Sequence, residues 1–221
     1  MKIAVLVFNF VAENTYVIWD SSRECVIIDA GNSNAKEDQA LANFIAQNGL
    51  KPVMAINTHG HFDHAMGVEF VRKTYGVPFA MSSDDQYLLE STKSGSVVYG
   101  ITMGDMPSTI DIDLKETKEI KFGETTLQVI PTPGHTPGHV SLFEPQERVL
   151  LTGDTVFRES IGRTDLPGGD YSVLMRSILN SIIPLGDDVR IYPGHSEDTT
   201  IGHESLYNPF IVEVINEEVK F

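Results

Sequence analysis

An apolar, β-forming run at 53–57 passes directly into Thr58-His59-Gly60-His61-Phe62-Asp63-His64. This places four metal-ligating side chains within six residues. His59 and His61 are two apart and Asp63 and His64 are adjacent, so no single helix face can turn all four toward one point. A loop at the end of a strand can, and the chain must therefore supply a sheet edge at which further ligands converge. Imidazole and carboxylate donors without a thiolate suit zinc, iron or manganese, and the density of donors suggests two ions rather than one. An exposed polar loop is a poorer account, because the chain has only seven histidines and three of them are here.

With 221 residues, 41% of them hydrophobic, the chain is long enough to bury a full core, and we expect a single domain over 1–221. A net charge of −15 argues against nucleic acid as a partner, since sequence-independent binding needs a basic surface. Cys25 stands alone, which excludes an internal disulfide and fits a reducing compartment. The apolar run at 3–8 is too short for a signal peptide, and no stretch reaches the ~20 apolar residues that span a bilayer. The expectation is a soluble, cytoplasmic protein with no membrane association.

Short β-branched runs at 3–8, 15–19 and 24–28 read as adjacent strands. Asp29 closes the third, either as a turn former or as a partner for a metal-bound histidine. Ala40, Leu41, Phe44 and Ile45 give 35–48 a helical stripe, and Gly49 ends it. Residues 65–75 read as a helix entered from the histidine loop, 77–81 as a strand and 84–90 as a short helix. The Ser-, Thr-, Gly- and Asp-rich stretch 91–112 is a surface excursion or a lid. Segments 117–122 and 125–130 form a hairpin about Gly123-Glu124. Asp170 caps a helix over 171–183, and a last helix covers 204–218, with Pro209 limiting its regular part.

The second half supplies three more ligand candidates, each after a strand that ends in Gly or Pro. They are His135 in Pro133-Gly134-His135-Thr136-Pro137-Gly138, Asp154 after Gly153, and His195 after Pro193-Gly194. Ligands delivered from successive strand ends to one sheet edge make a rigidly built site. His139, at the start of a strand, and His203, in a polar loop, read as packing or surface residues and stay outside the candidate set. Alternating strands and helices in both halves suggest two packed sheets with helices outside, an α+β architecture.

The His-x-His-x-Asp-His motif, the Thr-Pro-Gly-His-Thr-Pro-Gly loop, Gly-Asp and Pro-Gly-His, in this order over 14–208, resemble the metallo-β-lactamase superfamily, and within it the short glyoxalase II-like hydrolases. The resemblance implies a four-layer αβ/βα sandwich. It also implies two divalent ions, zinc in the first instance with iron or manganese as alternatives. One ion takes His59, His61 and His135, the other takes Asp63, His64 and His195, and Asp154 bridges them. Asp63 and Asp154 are thereby the carboxylates at the catalytic centre, and Asp29 stands behind the ligands.

The implied reaction is hydrolysis of a small-molecule thioester such as S-lactoylglutathione or another hydroxyacylglutathione, with a metal-bridging hydroxide as nucleophile. The chain departs from full-length glyoxalase II in two respects. Too few residues follow His195 for the C-terminal helical domain, and Gly162-Arg163-Thr164-Asp165 stands where a Lys and a Tyr contact glutathione. Arg163 is the residue left to hold an anionic substrate group. Gly-Arg-Thr-Asp also resembles persulfide dioxygenases, so a mononuclear iron dioxygenase built on His59, His135 and Asp154 is the alternative.

Overall fold

The computed structural model describes residues 1–218. Strands β1 (Lys2–Phe8), β2 (Glu13–Trp19) and β3 (Glu24–Ile28) run antiparallel. In β2 the side chains of Tyr16 and Ile18 join one core and those of Val17 and Trp19 another, and all four are buried. A strand apolar on both faces has to lie between two packed layers. Helix α1 (Ala35–Gln47) supplies one of them, laying Leu41 and Ile45 on the Val17 side. It starts where Asn34 accepts hydrogen bonds from the Lys36 and Glu37 amides, a side-chain N-cap.

Strand β4 (Lys51–Ile56) returns parallel to β3 and feeds the histidine loop, α2 (Phe62–Ala65) and α3 (Val68–Tyr75). The single helix expected over 65–75 is therefore interrupted. At Gly67 the amide donates to Ala30 O at 2.7 Å rather than to its own helix, and a Cβ there would overlap the Asn32 amide. Strand β5 (Phe79–Met81), a 3₁₀ turn (Ser83–Asp85) and α4 (Gln86–Ser91) follow. The stretch 91–112 forms a hairpin of β6 (Val97–Val98) and β7 (Ile101–Thr102), with Met103 and Met106 anchored in the core under α1 and α3. Strand β8 (Ile112–Asp113) then completes a first sheet ordered β1-β2-β3-β4-β5-β8.

The second sheet grows from the expected hairpin, β9 (Glu119–Phe122) and β10 (Thr125–Pro131). It continues through β11 (Val140–Glu144) and β12 (Val149–Gly153). A small hairpin, β13 (Val156–Phe157) and β14 (Ser160–Ile161), leads to α5 (Tyr171–Ser177). Asp170 caps α5 through the Val173 amide at 3.0 Å, as its position predicted. The α-helical hydrogen bonding ends at Ser177; a π turn (Ile178–Ile182) and a 3₁₀ turn containing Pro184 carry the chain on.

Strands β15 (Arg190–Pro193) and β16 (Thr199–Thr200) close the sheet in the order β16-β15-β12-β11-β10-β9. The terminal helix expected from 204 begins at Ile201, capped by Thr200, and is divided at Asn208 into α6 (Ile201–Tyr207) and α7 (Pro209–Glu218). His203 thus lies on a helix rather than in a loop, and its Nε2 is 3.0 Å from Glu159 Oε1.

Three apolar layers hold the sandwich. Ile18, Ile28 and Ile56 meet Leu127, Leu142 and Leu151 between the sheets. On the outer side of the second sheet, Leu150 and Ile191 pack under Leu174, Ile178 and Ile201. The architecture is the αβ/βα sandwich expected. Among the described residues no helix is long and apolar enough to cross a membrane.

Candidate metal centre

Strands β4, β10, β12 and β15 all end at one rim of the sandwich, and the segments that leave them carry the seven candidate ligands, Asp63 and His64 on α2 rather than in a loop. The histidine loop is pinned at its far end by Asn57 Nδ2, which donates to His64 O at 2.9 Å. Its middle is pinned by Asp85. That buried carboxylate accepts from Gly60 N at 3.0 Å, Thr136 Oγ1 at 2.6 Å and Gly138 N at 2.7 Å, tying the His59–His61 turn to the His135 loop.

His59 Nε2 lies 3.0 Å from His61 Nδ1, which lies 2.8 Å from His135 Nε2. Three nitrogens around one ion at ~2.1 Å would stand ~3.4 Å apart in a tetrahedral site, so the observed cluster is slightly tighter than a loaded one. Two of the three remaining ring nitrogens are already committed. His135 Nδ1 donates to Arg163 O at 2.7 Å, and His59 Nδ1 meets Thr58 Oγ1 at 3.0 Å. Because the Thr58 hydroxyl donates to Asp29 Oδ2 (2.8 Å), its oxygen accepts from His59. Both histidines are thereby left with a bare Nε2 toward the cluster, the tautomer a ligand needs.

The second group is Asp63, His64 and His195. Asp63 Oδ2 is 3.3 Å from His195 Nε2 and 3.6 Å from His64 Nε2. Asp154 stands between the groups: its Oδ2 is 3.5 Å from His135 Nε2 and 3.7 Å from His195 Nε2, and its Oδ1 is 3.4 Å from His64 Nε2. Asp154 Oδ1 and His64 Nε2 are buried and have no hydrogen-bond partner. Buried polar atoms are almost always satisfied, and a cation between these two would satisfy both. The donor set, its separations and these orphaned atoms all fit divalent ions.

Burial, reinforced by the neighbouring histidines, lowers His59 well below the ordinary imidazole range and His61 to about 4, which keeps both neutral and ready to ligate. Burial acts the same way on His64, but the carboxylates of Asp154, Asp63 and Asp29 outweigh it and raise His64 well above that range. Burial would raise Asp63, yet His64 and His195 hold it well below the usual carboxylate range.

Behind the ligands, Asp29 takes both of the roles open to it. Its backbone turns through φ 51°, while Oδ1 accepts from Thr58 N at 2.7 Å and Oδ2 lies 3.2 Å from His64 Nδ1. Three further residues support the site without having been singled out for it. Asp85 is one. His139 is another: it packs against His59 (ring centroids 5.1 Å apart, 27° between planes) and stays outside the ligand groups, and its Nε2 accepts from Asp154 N at 3.0 Å. Its Nδ1 meets Thr132 Oγ1 at 2.9 Å, so the ring holds the main chain of Asp154 in place. Glu13 is the third, fully buried 4.0 Å from His64 Nδ1, where burial holds its carboxyl well above the usual range. The signal for His139 lay in its own Pro-Gly loop. Asp85 and Glu13 carry none, since one falls in the first turn of the helix expected over 84–90 and the other just before the strand expected over 15–19.

Arg163 lines the cleft that the candidate ligands open into, but its guanidinium forks onto Asp165, Nε to Oδ1 and Nη2 to Oδ2, each at 2.7 Å. Its main-chain oxygen is the acceptor that orients His135. At the opposite wall Gly194 leaves no room for a side chain, because a Cβ there would overlap Asp154 Oδ1.

A family model described as the metallo-beta-lactamase superfamily matches residues 9–195, which include all seven clustered ligands. The chain belongs to this superfamily. Metallo-β-lactamase-fold relatives align over nearly its whole length. A hydroxyacylglutathione hydrolase, GloC, of Haemophilus influenzae is 34% identical over 212 residues, covering 96% of this chain and 98% of that one. The crystal structure of BLEG-1 B3 metallo-beta-lactamase superposes with a TM-score of 0.86 at 33% identity, covering 95% and 99%. That of TTHA1623 in a di-iron-bound form gives 0.82 at 30%, covering 94% and 99%. Superfamily members bind two metal ions, and the His/Asp groups described above are the corresponding feature of this chain.

Proposed function

We propose that this metallo-hydrolase cleaves thioesters, with His59, His61 and His135 holding one ion and Asp63, His64 and His195 the other. The observation that carries the proposal is the position of Asp154, whose two oxygens reach histidines of both groups within 3.4–3.7 Å. Two divalent ions held there would supply an activated water at neutral pH and a Lewis acid for a carbonyl oxygen. The chain's own part is orientation. Asp29, His139 and the Arg163 carbonyl fix three of the ligands. No Ser or Cys nucleophile lines the cleft beside the ligands in a Ser–His or Cys–His pairing among the described residues. The hydroxyacylglutathione hydrolase relative supports thioesters as the substrate class.

The metal we propose is zinc, with iron or manganese as substitutes that the same donors accept. The persulfide dioxygenase alternative needs one iron on His59, His135 and Asp154 and has no chemical use for a complete Asp63–His64–His195 group. The deciding experiment supplies S-lactoylglutathione and glutathione persulfide separately to zinc-loaded and iron-loaded protein. We expect two ions per chain by elemental analysis and thiol release from the thioester without oxygen uptake. Iron-dependent oxygen consumption with persulfide and no thioester cleavage would overturn the proposal.

A further inference from the structure

Resting on the hydrolase reading above, we propose that the cleft selects thioesters whose groups flanking the carbonyl are uncharged and apolar, in preference to glutathione thioesters. The cleft over the ligands has a volume of about 870 Å³, enough for a ligand well beyond the reacting carbonyl. One wall is a row of rings: Phe10 stacks on Phe62 (6.1 Å between centroids), and Phe62 meets Tyr99 (5.9 Å). The facing wall presents Phe157, Ile161 and Leu166.

Phe62 leans on the core, while the two rings flanking it do not. Phe10 is 52% exposed and Tyr99 71% exposed at the mouth, so apolar surface remains there for a ligand to cover. Tyr99 is held in place at some cost. It occupies the first central position of the two-residue turn between β6 and β7, at φ 50°, with Gly100 at φ 81°. That is a conformation suited to Asn or Gly, and a bulky side chain kept in it points to a task at that spot.

Charge leads to the same substrate class. Among the described residues lining the cleft, Arg163 carries the only permanent positive charge, and both arms of its fork are engaged by Asp165. A substrate carboxylate would have to displace Asp165, exchanging one carboxylate for another and leaving the first without a partner. Glutathione brings two carboxylates and one ammonium, and beyond the ions at its floor the cleft offers neither carboxylate an unpaired cationic side chain. An uncharged ligand meets neither obstacle and covers the aromatic wall.

The test uses two non-hydrolysable thioethers with the same alkyl group, S-hexylglutathione and S-hexyl-N-acetylcysteamine, titrated calorimetrically into protein loaded with two zinc ions. We expect the neutral ligand to bind about tenfold tighter or better. Phe10→Ser and Tyr99→Ser, both at the exposed mouth, should each weaken it by about threefold or more. Asp165→Asn, which releases the guanidinium, should tighten the glutathione conjugate by a similar factor. Equal or tighter binding of the glutathione conjugate to the unmodified protein, or serine variants that bind the neutral ligand unchanged, would overturn the assignment. Turnover of the matching hexanoyl thioesters separates the two readings. Tighter neutral binding with neither thioester cleaved removes the hydrolase reading and leaves the cleft assignment standing. Cleavage of both with a higher kcat/KM for the glutathione thioester does the reverse.

Discussion

Replacing Asp85 tests whether the metal centre is held from behind as the geometry indicates. Asp85→Ala removes the acceptor of three hydrogen bonds and leaves two amides, Gly60 N and Gly138 N, and the Thr136 hydroxyl without partners in a buried position. Each stranded donor costs roughly 1–3 kcal/mol. The sum is reduced because the carboxylate's own desolvation disappears with it. The net loss should be about 3–5 kcal/mol, at the upper end for one substitution.

Asp85→Asn keeps one acceptor oxygen but turns an N–H₂ toward another donor, and should lose about 1–2 kcal/mol. Burial raises the Asp85 carboxyl above its usual range, more than its three hydrogen bonds lower it. A raised pKa in the folded state means stability that is present at low pH and lost as the pH rises through the folded value, so the gap between wild type and Asp85→Asn should narrow with rising pH. Urea unfolding of the metal-free proteins measures both effects. Zinc competition measures the third: affinity at the His59–His61–His135 group should fall ~10–100-fold in Asp85→Ala, as when other groups supporting metal ligands are removed. An alanine variant within about 1 kcal/mol of wild type, with unchanged zinc affinity, would refute the account of Asp85 as the tie between the two loops.

Two other outcomes follow from the electrostatics and the ligand geometry. Asp154→Ala should lower kcat/KM at least ~10-fold more than His64→Ala, because Asp154 reaches both groups and His64 one; steady-state kinetics with elemental analysis checks this, and an Asp154 variant with full ion content would contradict it. Zinc uptake by the Asp63–His64–His195 group should grow steeply stronger as the pH rises through neutrality, since the surrounding carboxylates keep His64 protonated against the pull of burial. Uptake by the other group should depend less on pH, since burial and the neighbouring histidines keep His59 and His61 neutral, as competition titrations across pH would show.

The candidate ligands were legible from their context: the 59–64 segment leaves a strand directly, His135, Asp154 and His195 each follow a strand and a Gly or Pro, and the fold brings all seven to one rim. The layering was legible from the alternation of strands and helices in both halves of the chain. Features set by distant contacts were not. Gly67 breaks a helix because Ala30 and Asn32 claim its surroundings, and Asp85 binds residues 25 and 53 positions away. No local pattern encodes either. Arg163 followed from its loop as a residue of the cleft, while its engagement with Asp165 depended on side-chain conformation, which spacing leaves open.

The ligands are divided between the two halves of the sandwich, four before residue 65 and three after residue 134. During synthesis the amino-terminal half emerges first and has time to fold. It carries His59, His61, Asp63 and His64, but neither the carboxylate between the groups nor a third ligand from outside the loop for either ion. On the proposed division, capture of the second ion would wait until His195 has left the ribosome and β15 has docked, whereas the His59–His61–His135 group is complete earlier in synthesis. A chain interrupted before His135 would hold four of the seven candidate ligands and neither of the two proposed groups complete.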